Sequence, residues 1–262
     1  TEWNDILINI KSYYFNNVGK DPGYLVFQKF VQFFISDYQV YLFLIATIFF
    51  GAMGSFIYKN THRLSEVVFA FVLYSSLFYS VYTFTAIRQT IAMSAVLVSY
   101  EFVKKRKFWF FLIILLVAST IHRSCLIFFP VYFIVKIKRI NILYPIVLLS
   151  FPVLMIFKAV MLRFFQSIGG YNEYLYYEGA GTATFTIMLI FVSFFLWWRM
   201  KYVICRNQNA EKYYNVFVLA LFFTPLTWIN PNAMRIVMYF SIFMMILVPQ
   251  AINSFKSNKV LR

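Results

Sequence analysis

At 262 residues, 62% hydrophobic and 13% charged, with a formal net charge of +15, the chain carries more apolar surface than a soluble domain of this length can bury. Its 34 Phe and 20 Tyr and a mean hydropathy of +0.72 make lipid the solvent for most of it, which leaves a helical bundle or a closed barrel. Long apolar runs without alternating polar residues select helices. The expected class is therefore all-α: a polytopic membrane helical bundle, with short broken or re-entrant helices around an outward-facing cavity.

The chain divides into an outer segment at 1–38, a transmembrane helical domain at 39–255 and a cytoplasmic tail at 256–262. The outer segment is polar and acidic at first, then amphipathic from Tyr24 to Ile35. Tyr24, Phe27, Val31, Phe34 and Ile35 share one helical face, interrupted by Gln28, Lys29 and Gln32, as in a helix lying in the membrane interface. The chain begins with Thr on the outer side and without a signal peptide, so earlier residues with one or more further spans are expected. Spans are expected at ~39–58, ~65–84, ~90–103, ~141–162, ~183–200, ~215–229 and ~233–251. Two shorter arms at ~108–121 and ~125–135 each rise only about 20 Å, short of a ~30 Å bilayer core. They read as a hairpin with His122 and Arg123 at its tip. Ionisable groups at that depth are costly and usually functional.

Charge fixes the expected orientation. Sixteen of the 24 Lys/Arg fall within 59–63, 104–107, 136–139, 199–212 and 256–262, each beside an apolar run. That is a positive-inside signal with contact to anionic membrane lipids, and no nucleic-acid partner is implied. Lys11, Lys20, Lys29, Arg88, Arg123, Lys158, Arg163 and Arg235 fall outside these clusters. Guanidinium groups near the outer face suit a diphosphate, because they donate paired hydrogen bonds and stay charged. The competing use of these cations is pairing with Asp21, Asp37, Glu173 or Glu178, all expected on the same side.

His122 is either a hydrogen-bonded packing residue or a general base kept neutral by a neighbouring cation and partial burial. Cys125 and Cys205 lie in an apolar arm and a basic loop, where they should not pair. No metal-ligand cluster, Gly-rich phosphate loop or nucleophile motif stands out, so neither metal nor cofactor is expected.

The stretch AIRQTIAMSAVLVSYEFVKKRKFWFFLIILLVASTIHRSCLIFFPVYF resembles the signature region of EpsG-like proteins of the Wzy type, which polymerise polysaccharide repeat units in bacterial membranes. Arg88 and Gln89 head one helix, His122 and Ser124 follow the next, and Pro130 with Tyr132 lies beyond. Asp21-Pro22-Gly23-Tyr24 resembles the family's acidic-Pro-Gly-Tyr element, with Asp in place of the more usual Glu. Arg235, Tyr239 and Pro249 resemble its late Arg-helix-Pro element. Arg123 falls inside the His-x-Ser pattern without being one of its residues.

The resemblance implies a metal-independent glycosyltransferase at the outer face of the bacterial inner membrane. Its implied substrate is an undecaprenyl-diphosphate-linked oligosaccharide destined for O-antigen, capsule or exopolysaccharide, and a chain-length regulator is an optional partner. The implied catalytic residues are His122, Arg88 and Arg235. Arg123, Gln89, Asp21, Tyr24, Ser124 and Tyr239 are candidates for substrate binding, and Asp21 competes with His122 as base. Tyr171, Tyr174, Tyr176 and Tyr177 would either stack on sugars or form an aromatic belt. A flippase or exporter for lipid-linked glycans would also need arginines in a cavity, though usually with repeat symmetry. An O-antigen-ligase-like transferase is the nearest enzymatic rival.

Overall fold

The computed structural model describes residues 21–79, 87–169 and 182–257. In chain order its helices are α1 (Pro22–Phe34), α2 (Tyr38–Asn60), α3 (Leu64–Leu73), α4 (Ile87–Lys104), α5 (Phe108–Ile121), α6 (Val131–Ile134), α7 (Ile140–Leu149), α8 (Phe151–Ile156), α9 (Lys158–Gly169), α10 (Ala183–Arg206), α11 (Ala210–Phe223), α12 (Met234–Ser241) and α13 (Met244–Asn253). No strand occurs among the described residues. The chain is a helical membrane bundle.

Two helices, α2 with 23 residues and α10 with 24, are long and apolar enough to cross a membrane. The pair Pro231–Ser241 and Met244–Asn253, bent by 50°, makes a third if taken as one span. The remaining apolar helices are shorter, which departs from the row of full spans read from hydropathy. The region expected as one span at ~141–162 runs through α7, α8 and the start of α9, with breaks at Ser150 and Phe157. Pro152 accounts for the first break, since proline removes a backbone donor and clashes with the preceding turn; Pro145 is accommodated inside α7. The second arm of the hairpin is likewise a 3₁₀ turn at Arg123–Phe128 followed by the four-residue α6, with Pro130 between them. Such irregular backbone is tolerated at membrane depth only where protein or water covers it.

The chain forms two compact units. The first contains α1, α2, α4, α5 and the turn Arg123–Phe128. Here α4 packs against both α2 and α5, and α1 packs against α5. Tyr24, Val31, Tyr41, Ile45 and Ile91 form a buried cluster. Most of α4 is buried, including polar Ser94 and Ser99. Their hydroxyls donate to the helix's own carbonyls of Thr90 and Val96 at 2.9 and 2.8 Å, so small side chains permit close helix approach without orphaned donors. At the other end of the unit, Lys104 donates to Asn60 Oδ1 at 2.7 Å and pairs with Glu101 at 2.7 Å.

The second unit holds α3 and everything from α6 onward. α11, α12 and α13 are buried along most of their length, the pattern of core helices that are apolar on all sides. α3 packs on α13. Glu66, only 2% exposed, ties the two together: it accepts from Asn253 Nδ2 at 3.1 Å and from the His62 backbone N–H at 2.9 Å. A buried carboxylate needs such donors. Sequence position alone reads Glu66 as an interface charge, and its role as an interhelical clamp emerges only from packing.

Candidate functional site

The segment Asp21-Pro22-Gly23-Tyr24 starts α1 and presses it against the end of α5. Pro22 stands in the first turn, where its missing N–H costs nothing. Asp21 precedes it in a left-handed conformation, φ 59° and ψ 68°, which Asp tolerates better than most residues with a Cβ. Gly23 has no room for a side chain. A Cβ there would lie 2.6 Å from Thr120 Cβ and 2.8 Å from the Thr120 carbonyl carbon, and would collide with its hydroxyl. Thr120 stands two residues before His122, so this glycine contact brings the start of α1 to the histidine.

His122 leaves α5 in an extended conformation, φ −155° and ψ 105°. Its backbone N–H caps the helix by donating to the Ala118 carbonyl at 2.9 Å. Its ring is largely buried, with Nδ1 3.8 Å from Asp21 Oδ2, beyond hydrogen-bond length but within ion-pair range. On the other side of the ring, Nε2 is buried and meets no hydrogen-bond partner among the described residues.

Arg88, in the first turn of α4, reaches the same carboxylate oxygen: Nη1 lies 3.3 Å from Asp21 Oδ2. Its guanidinium also lies over the Tyr24 ring, 4.8 Å from the centroid, a cation–π arrangement. Tyr24 is held in turn by Gln28, whose Nε2 donates to its hydroxyl at 3.0 Å. Gln28 is therefore part of the buried face of α1, whereas the amphipathic pattern reads it as an interruption. Phe34, expected on the apolar face, is 70% exposed.

Asp21 lies ahead of the first span. Burial pushes its carboxyl up, but His122 and Arg88 outweigh this and hold it below the usual carboxylate range. It is an ionised group that orients two others. The pairing of an arginine outside the basic clusters with an acidic residue is thus realised at Arg88. Asp37 has a different task, accepting from the backbone N–H groups of Gln39 and Val40 at 2.6 and 3.1 Å at the start of α2.

The first unit therefore brings together Asp21, Tyr24, Arg88 and His122, from α1, α4 and the end of α5. Gln89 follows Arg88 and is buried. Arg123, exposed, and Ser124, half-buried, follow His122 on the 3₁₀ turn. Arg235 and Tyr239 stand one helical turn apart on α12 in the second unit, half-buried and buried respectively. Lys158, also in that unit, lies 5.8 Å from the Trp228 ring centroid. Lys29 bonds Gln32 at 3.0 Å. Tyr171, Tyr174, Tyr176, Tyr177, Glu173, Glu178, Lys11 and Lys20 fall outside the described residues.

One contact was missed in the sequence: Gly23 reads there only as part of the Asp-Pro-Gly-Tyr element, and nothing local marks it as the contact with Thr120. Asp21 and Arg88 are separated by 67 positions, so their pairing has no periodic signal. Among the described residues, no three His, Cys, Asp or Glu side chains are grouped as metal ligands would be.

Neither the curated proteins nor the solved structures contain a match to this chain. The profile of the EpsG family matches residues 5–261, nearly the whole length. The chain is thus a membrane protein of polysaccharide-polymerase type, and it belongs to the EpsG family.

Proposed function

We propose that this protein joins undecaprenyl-diphosphate-linked oligosaccharide repeat units at the outer face of the bacterial inner membrane. The acceptor hydroxyl attacks the anomeric carbon of the donor glycan as the bond from that carbon to the diphosphate oxygen breaks. Single displacement inverts the anomeric centre. The hydroxyl proton passes to His122 Nε2, and the diphosphate leaves as an anion.

One observation carries this reading: His122 presents a buried, unpartnered Nε2 while Nδ1 faces an ionised carboxylate. A carboxylate on that side favours the tautomer with the proton on Nδ1, leaving Nε2 as acceptor, and stabilises the imidazolium once formed. Of the two candidate bases, His122 is the better one, because Asp21 is held ionised by Arg88 and by the imidazole that faces it, and gives up its basicity to them. Arg88, 36% exposed in its side chain, is assigned to the departing diphosphate with Arg235, where cations match charge that grows in the transition state. Tyr24 positions Arg88. Gln89, Arg123, Ser124 and Tyr239 are assigned to substrate contact.

The accompanying topology puts 1–38 outside, 39–255 in the membrane and 256–262 in the cytoplasm. Each basic cluster then lies at an inner helix end.

The test is His122→Ala in cells that make the polymer, read as a glycan ladder on gels. The expected result is loss of the ladder with single repeat units retained, at a rate reduced about 10²–10⁴-fold. A normal ladder removes the base assignment. Full-length polymer left on the carrier lipid indicates a ligase, and loss of outward-facing lipid-linked units indicates a flippase.

A further inference from the structure

Away from the histidine, the second unit contains an open cleft of about 580 Å³ between the start of α7 and the end of α10, within the size range of small-ligand sites. Its walls include Phe194, Trp197, Trp198 and Tyr202, and its polar groups include Lys201 and Asn141. The four aromatic rings are between 38% and 65% exposed, so they present apolar surface outward.

Their level in the membrane follows from residue type together with helix length. The 24 residues of α10 rise about 36 Å, about 6 Å more than a ~30 Å hydrocarbon core, so its basic end, with Lys201 and Arg206, reaches the headgroups. Lys and Arg extend toward that level from the last turns, and Trp and Tyr favour it. α7 enters from the same kind of boundary: Lys138 and Arg139 precede it, both exposed, with Arg139 at its N-cap.

The wall is braced from behind. Arg199 is only 3% exposed and donates from Nε to Ser254 Oγ at 2.9 Å. Its guanidinium lies 4.3 Å from the Tyr202 ring centroid, 3.9 Å from that of Phe255 and 5.5 Å from that of Trp198. Trp198 also meets Phe255 edge to face at 5.5 Å. A buried arginine thus fixes two of the rings that face outward. Lys201 has a different environment: it is exposed and has neither a hydrogen bond nor an ion pair among the described residues. Among the described residues, no Asp or Glu lines the cleft.

We infer that this cleft binds one anionic phospholipid. The ammonium of Lys201 and the amide of Asn141 take the headgroup phosphate, Lys138 and Arg139 add positive potential at its mouth, and an acyl chain lies along Phe194 and Trp197. A basic, aromatic-walled pocket between helices at the headgroup level is the chemistry that selects an anionic lipid over the surrounding ones. A neutral zwitterionic lipid would satisfy the rings but would place its own ammonium beside Lys201.

Native mass spectrometry of the full chain in detergent tests this. The probes are phosphatidylglycerol and phosphatidylcholine with identical acyl chains. Phosphatidylglycerol should be retained in preference to phosphatidylcholine. Lys201→Gln, an exposed change that leaves the fold alone, should lower phosphatidylglycerol retention about fivefold and leave phosphatidylcholine unchanged. Trp197→Ala should lower both. Lys212→Gln, an equal loss of charge outside the cleft, should lower neither. Equal retention of the two lipids, or unchanged phosphatidylglycerol binding by Lys201→Gln, overturns the assignment. Displacement of phosphatidylglycerol by millimolar inorganic phosphate also overturns it, since the site would then recognise phosphate without the lipid.

Discussion

A carboxylate that shares one oxygen between an arginine and a histidine keeps its charge at the expense of its basicity. Asp21 is in that position, and the consequence can be read from acid stability. Its carboxyl is held below the ordinary value in the folded protein, against ~3.9 for an Asp in an unfolded chain. The stabilisation is therefore complete above that value and is lost as pH falls through the lower folded value. Thermal unfolding in detergent should show an acid limb below about pH 4 that Asp21→Asn lacks. An unchanged acid limb in Asp21→Asn would remove the pairing with Arg88 and His122. The same substitution should reduce polymer formation less than His122→Ala does, because it disturbs the orientation of the base without deleting it. Arg88→Ala should lower polymer formation about a hundredfold and also leave Asp21 without its nearest cation.

Helix α1 owes its docking to the absence of one methyl group. The Asp-Pro-Gly-Tyr element sets Pro22 to begin the helix, Gly23 to admit Thr120, and Asp21 and Tyr24 to meet Arg88. Gly23→Ala should destabilise the first unit by about 1–3 kcal/mol through overpacking, measured as a drop in Tm in detergent. Part of the clash is with the Thr120 side chain and part with its backbone. Adding Thr120→Ala should accordingly recover some of the loss without restoring it fully, a coupling that a double-mutant cycle measures. Strict additivity of the two changes would mean that they do not touch. The break after α7 has a similarly local cause: Pro152 interrupts the apolar run that would otherwise continue as a span.

For the chain as a whole, the two cysteines offer a direct test of orientation. Cys205 is exposed at the basic end of α10, whereas Cys125 is buried in the turn after His122. One thiol per chain should react quickly with a membrane-impermeant maleimide once membranes are opened, and Cys205→Ser should abolish that labelling. Labelling of Cys205 in intact cells would invert the proposed topology.

Membrane class and helical fold were legible in the sequence because they depend on sums: apolar content, run length and the placement of Lys and Arg. The EpsG resemblance was legible because Arg88-Gln89, His122 and Ser124 stand in fixed local order. The site is different in kind. His122 and Arg88 could be nominated from their unusual surroundings, yet neither periodicity nor spacing relates them to Asp21, since contacts between distant positions leave no local pattern. Gly23 against Thr120, Gln28 against Tyr24 and Glu66 against Asn253 belong to the same class. Solvent selects the fold through averaged properties of the chain. The partner of a buried charge is selected by which side chains close packing brings within a few ångströms, and only the tertiary structure decides that.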